Sequence, residues 1–175
     1  TGDGVMAIRD IVQAAAGVGG GNEYVEDVFS TYAYTGNSST QTINNGIDLA
    51  GEGGLVWTKW RANNYSTASH RLVDSARGIT QQLESNTTLA QFTTGASISS
   101  LNTSGYSLSG ADSKYNTNTG TYVSWSWRKA PKFFDVVTYT GNGSTQNISH
   151  SLDSQPGCVI IKKTSGAGDW MIWHR

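Results

Sequence analysis

Tyr34-Thr35-Gly36-Asn37-Ser38-Ser39-Thr40-Gln41-Thr42-Ile43 returns as Tyr139-Thr140-Gly141-Asn142-Gly143-Ser144-Thr145-Gln146-Asn147-Ile148, with eight of ten residues identical at a spacing of 139 − 34 = 105 residues. A match of that length is too long for compositional chance. Each copy reads as a strand, a T-G-N-[SG]-S turn and a second strand. Gly36 and Gly141 are expected to supply a positive φ, and Asn37 and Asn142 to bond their own backbone. The likeness continues outward. Gly54-Leu55-Val56-Trp57-Thr58-Lys59 falls on Gly157-Cys158-Val159-Ile160-Ile161-Lys162 at 157 − 54 = 103 residues, so the second copy has lost two loop residues. His70-Arg71-Leu72-Val73-Asp74 then falls on Trp170-Met171-Ile172-Trp173-His174 at 170 − 70 = 100 residues, as a shared strand-like pattern.

A unit of about 105 residues has the size of a small β-sandwich domain and is far too long for a solenoid repeat. The expected fold is therefore mainly β: tandem antiparallel β-sandwich units, the first over residues 28–132 and the second, truncated, over 133–175. A truncated unit exposes apolar edges and faces, so the chain is expected either to continue past Arg175 or to complete its sheet with a partner chain. Alternating runs at 28–34, 55–60 and 122–128 predict half-buried strands, whereas the nearly continuous apolar runs at 133–137 and 158–162 predict strands covered on both faces. Segments 61–71 and 109–121, rich in Asn, Ser and Thr, are expected as surface loops or edge strands.

Upstream of the repeat, residues 5–16 carry Val5, Ile8, Ile11 and Val12 at helical spacing, and the glycines of 17–21 end that pattern. A helix this short is marginal alone, so residues 1–27 read as an anchoring helix followed by a flexible joint, with a frayed terminal helix on its own domain as the alternative.

Composition agrees with a loop-rich β protein: Gly, Ser, Thr and Asn supply 74 of 175 residues, and 10% of the chain is aromatic. With 12 Lys+Arg against 13 Asp+Glu there is no basic excess to neutralise phosphates, which argues against nucleic-acid binding. One cysteine, Cys158, excludes an internal disulfide, and no Cys/His cluster has metal-ligand spacing, so no metal or cofactor is expected. No apolar run approaches the roughly 18 residues of a membrane span and no signal-peptide pattern appears, so no membrane insertion is expected and the chain reads as soluble and unsecreted.

No constellation suggests catalysis. His70, His150 and His174 are scattered, and the four glutamates (Glu23, Glu26, Glu52, Glu84) form no recognisable acid pair. Gly51-Glu52-Gly53-Gly54 lacks the Lys-[ST] of a phosphate-cradling loop and opens a strand. The expectation is a non-enzyme with no catalytic residues. Trp57, Trp125 and Trp127, on alternating strands, read as core, whereas Tyr65 and Tyr115, flanked by asparagines, are the candidates for surface contact with a glycan.

The run 28–37, the segment Tyr122-Val123-Ser124-Trp125-Ser126-Trp127-Arg128-Lys129-Ala130-Pro131-Lys132-Phe133-Phe134-Asp135-Val136-Val137, and the run from Pro156 to Lys163 and on to Trp170–Arg175 resemble repeated domains in virion proteins of tailed bacteriophages, marine ones especially. That resemblance covers about residues 28–175. It implies lectin-like β-sandwich units in a structural tail fibre or related appendage, located in the virion, anchored to tail proteins at its N-terminus and projecting regions that bind a host cell-surface receptor or glycan. It carries no catalytic residues. Such rods are commonly homotrimers, and three copies of the Val5/Ile8/Ile11/Val12 stripe would bundle. Two other readings stand beside it: a carbohydrate-binding module that touches host polysaccharide through its own loops, and a capsid decoration protein.

Overall fold

The computed structural model describes residues 24–62, 68–95 and 97–175. The fold is mainly β, with antiparallel sheets and, among the described residues, one helical turn, α1 (Val25–Val28). The strands are β1 (Phe29–Thr35), β2 (Gln41–Asn44), β3 (Gly54–Ala62), β4 (Arg71–Asp74), β5 (Gln81–Glu84), β6 (Phe92–Thr93), β7 (Ile98–Asn102), β8 (Gly105–Leu108), β9 (Thr121–Arg128), β10 (Cys158–Lys162) and β11 (Trp170–His174). They form a six-stranded sheet in the order β1-β9-β3-β4-β5-β6, a three-stranded sheet β2-β8-β7 and a hairpin β10-β11.

Alternation along β9 explains its central place. Tyr122, Ser124 and Ser126 are buried on one face, while Val123, Trp125 and Trp127 are half-buried on the other. Small hydroxyl residues on the inner face leave room for the side chains of the second sheet. The shared core takes Val56, Val73 and Tyr122 from the larger sheet and Ile43, Ile98 and Tyr106 from the smaller. Each fully buried aliphatic of this set contributes about 1.5–3 kcal/mol relative to exposure. On the outer face Trp57 lies against Trp125 at 5.5 Å and Trp127 at 6.3 Å, and Trp127 also contacts Phe29 and Phe134. These tryptophans, expected as core, therefore form a half-buried aromatic row on the outer face.

The repeated turn is built as the sequence asks, with one correction. Asn37 Oδ1 accepts from the Ser39 amide at 2.8 Å and Gln41 Nε2 donates to the Thr35 carbonyl at 3.1 Å. In the second copy Asn142 Oδ1 accepts from the Ser144 amide at 2.9 Å and Gln146 Nε2 donates to the Thr140 carbonyl at 3.2 Å. Positive φ, however, falls at Ser38 (57°) and Gly143 (77°), and neither Gly36 nor Gly141 adopts it. Gly36 serves another purpose: a Cβ there would run into the Thr117 carbonyl oxygen, so the turn and the 116–117 backbone approach as only glycine permits. Around Gly141 that space is open.

Three further expectations are corrected. The 109–121 segment is no simple surface loop, because Tyr115 and Asn116 within it are both 1% exposed. Residues 133–137 form no strand; only an isolated bridge joins Ala130 to Phe134, although a helical-turn bond from the Phe134 amide to the Ala130 carbonyl repeats the one from Phe29 to Val25. Nor is β10 covered on both faces, since Cys158, Ile160 and Ile161 are exposed.

Candidate interaction surface

The hairpin β10-β11 reproduces β3-β4 residue for residue. In the first copy Leu55 pairs with Asp74, Val56 with Val73, Trp57 with Leu72 and Thr58 with Arg71. In the second, Cys158 pairs with His174, Val159 with Trp173, Ile160 with Ile172 and Ile161 with Met171, which is the register that the spacings of 103 and 100 residues demand. Even the closing bond recurs: the Ser75 amide donates to the Gly54 carbonyl at 3.0 Å, and the Arg175 amide to the Gly157 carbonyl at 3.2 Å. The two copies keep the same pairing although the connection in the second is three residues shorter.

Burial separates the copies. Val73 is fully buried, but its counterpart Trp173 is 49% exposed; Leu72 is 9% exposed and its counterpart Ile172 is 66%. Ile160, Met171 and Tyr139 are open in the same way, whereas Tyr34, the counterpart of Tyr139, is buried. A contiguous hairpin with large apolar side chains on both faces has the composition of an interaction surface, because an isolated exposed hydrophobe is ordinary and a cluster is not.

Its base is held firmly against the first copy. Trp170 Nε1 donates to the Glu84 carbonyl at 3.2 Å, the Gly168 amide donates to the Thr88 carbonyl at 2.9 Å, and Lys162 Nζ donates to the Thr88 and Gly168 carbonyls. Farther along, Lys129 and Asp135 form an ion pair at 3.0 Å. Burial alone would raise the Asp135 carboxyl, but the Ser151 amide and the Lys129 ammonium outweigh it and hold the carboxyl below its ordinary value.

The residues singled out by sequence fall as follows. Val5, Ile8, Ile11, Val12 and Tyr65 lie outside the described residues. Tyr115, expected as a surface contact for a glycan, is instead packed in the core, where burial pushes its phenol well above the ordinary range. Its carbonyl accepts a bond from Tyr34 Oη at 2.9 Å, and Tyr34 stacks on Tyr122 at 5.1 Å. The asparagines beside Tyr115 do not mark solvent, because Asn116 is itself buried and satisfied. Asn116 Oδ1 accepts from the Asn37 amide at 2.9 Å, while its Nδ2 donates to Asn37 Oδ1 and to the Ser39 and Gly110 carbonyls. This asparagine is the clasp between the repeated turn and the 109–121 loop, and no local pattern in the sequence marks it.

His70 precedes β4, and burial together with Lys59 lowers its imidazole from the ordinary value. His150 Nδ1 accepts from the Leu152 amide, and His174 ends β11. Among the described residues no three His, Cys, Asp or Glu side chains gather as a metal site, and no helix is long and apolar enough to cross a membrane.

Fold and surface define an antiparallel β protein with an internally repeated turn-and-hairpin unit. The chain belongs to the family described as a domain of unknown function, DUF7483, whose model matches residues 25–175. The matched span opens at α1 and includes the exposed hairpin, so both copies fall within a single family unit. No curated protein and no solved structure matches the chain significantly.

Proposed function

We propose that this chain is a structural virion protein, a segment of a bacteriophage tail fibre whose lectin-like β-sandwich units act as spacers between the tail and host-receptor-binding regions. The observation that carries this reading is the duplicated turn and hairpin, built twice with the same bonds and the same register. A unit that is copied in geometry while its surface chemistry changes suits a stalk assembled from like parts. The low charge and the Thr/Ser/Asn-rich composition agree with such a stalk, and so does the resemblance to phage virion proteins over residues 28–175. In this reading residues 1–27 anchor the segment to tail proteins, and the Val5/Ile8/Ile11/Val12 stripe joins three copies.

Immunogold electron microscopy of intact particles, with antibody raised against residues 68–130, tests the assignment. Label confined to tail appendages is the expected result. Label over the capsid, or particles without label, overturns it.

A further inference from the structure

Two asparagines of the chain precede a glycine, Asn45 before Gly46 and Asn142 before Gly143. A glycine there leaves its backbone nitrogen open to approach, since no Cβ stands beside it, and it accepts the positive φ that both adopt, 85° and 77°. Their surroundings differ. Asn45 is half-buried; its Nδ2 donates to Ser126 Oγ at 2.8 Å and its Oδ1 accepts from the Ile47 amide at 3.2 Å, so both ends of the side-chain amide are tied. Asn142 is exposed, as is every residue from 137 to 150. Its Oδ1 accepts from the Ser144 amide, but among the described residues neither its Nδ2 nor the Gly143 amide has a partner. The same turn in the first copy is closed at each of these points. Asn37 is followed by Ser38, whose amide donates to the Asn116 carbonyl at 2.8 Å, and Asn37 Oδ1 is held by Asn116 Nδ2 as well as by the Ser39 amide.

We propose that Asn142 is a site of spontaneous covalent modification, deamidated in the folded protein through attack by the Gly143 backbone nitrogen, while Asn45 and Asn37 are held against the same reaction. The Gly143 nitrogen gives its proton to hydroxide and bonds to Asn142 Cγ, which closes a succinimide ring. The bond from Cγ to Nδ2 breaks, and that nitrogen takes a proton from water and leaves as ammonia. Solvent water then opens the ring at either carbonyl, which yields aspartate or, with the backbone rerouted through Cγ, isoaspartate. One water is consumed, one ammonia is released and nothing is oxidised or reduced. Both products carry a new carboxylate, which takes the net charge from −1 to −1 − 1 = −2. Isoaspartate also adds a methylene to the backbone of the turn and turns the carbonyl that holds the Ser144 amide into a backbone group. The change falls between Tyr139 and Ile148, both exposed, so the modification alters the surface of the second copy and leaves that of the first intact.

The test incubates the full 175-residue chain at mildly alkaline pH, folded in buffer and unfolded in concentrated urea. Samples are digested with pepsin in acid, and electron-transfer fragmentation in the mass spectrometer tells isoaspartate from aspartate at each site. In the folded chain Asn142 is expected to convert at least about tenfold faster than Asn45, and in urea the two are expected to agree within about threefold. Gly143→Ser copies the first turn, in which Ser38 tolerates a φ of 57°. That variant is expected to melt with the parent and to slow conversion of Asn142 by at least about tenfold. The proposal is overturned by equal conversion of Asn45 and Asn142 in the folded chain, by an Asn142 that stays an amide, or by a Gly143→Ser chain that reacts as fast as the parent.

Discussion

Replacing Asn116 with alanine tests the clasp between the repeated turn and the 109–121 loop. Asn116 is 1% exposed, and its amide makes one accepted and three donated contacts, to Asn37, Ser39 and Gly110. Two amide hydrogens serve three acceptors, so about three full bonds are lost, each with a net worth of about 1 kcal/mol. The Asn37 amide is left facing a methyl group. We expect Asn116→Ala to lose about 3 kcal/mol and, for a chain of this size, to lower Tm by about 6–12 °C. Thermal melts followed by circular dichroism, together with urea midpoints, read both quantities. A paired comparison isolates the clasp: Asn37→Ala removes only the bond its Oδ1 accepts from Asn116 Nδ2 and the turn bond it accepts from the Ser39 amide, and is expected to lose about 1–2 kcal/mol, whereas Asn142→Ala, whose side chain makes the local bond to Ser144, is expected to stay within about 0.5 kcal/mol of the parent. A melt of Asn116→Ala within about 2 °C of the parent, or equal losses for Asn37→Ala and Asn142→Ala, refutes the reasoning.

Gly36→Ala forces a Cβ against the Thr117 carbonyl and is expected to cost about 2–3 kcal/mol, whereas Gly141→Ala meets open space and is expected to be neutral; urea denaturation of the two variants gives the contrast. Burial raises the phenols of Tyr34, Tyr106, Tyr115 and Tyr122 above their ordinary value of about 10. The fold therefore favours their neutral forms. That contribution is complete below about pH 10 and is lost as pH rises through the folded values, so the chain should unfold cooperatively in alkali, with tyrosinate absorbance and loss of circular dichroism rising together.

What the sequence made legible was whatever the chain states twice. Spacings of 103 and 100 residues are enough to place Cys158 opposite His174 once Leu55 is known to face Asp74, and the pairing holds although the connection is three residues shorter. The strand expected at 133–137 failed for a physical reason: β1 is a strand because β9 lies beside it, and among the described residues no such neighbour stands beside residues 134–140. Tyr115 and Asn116 were illegible because composition treats polar neighbours as a sign of solvent. Here the amide of Asn116 bonds three backbone or side-chain partners inside the fold, and the Tyr115 ring is enclosed with it. Which side chains of the hairpin stand uncovered required the burial of each one.

The place of β9 bears on how the molecule is made. The strand that stitches Phe29–Thr35 to Gly54–Ala62 is the last of that sheet to leave the ribosome, some ninety residues after the first, so β1 waits without its ladder partner while the rest is synthesised. Closing so long a loop before any ladder bond rewards it makes assembly slow and all-or-none. A nascent chain halted before Thr121 leaves β1 and the facing edge of β3 without the strand that pairs with both.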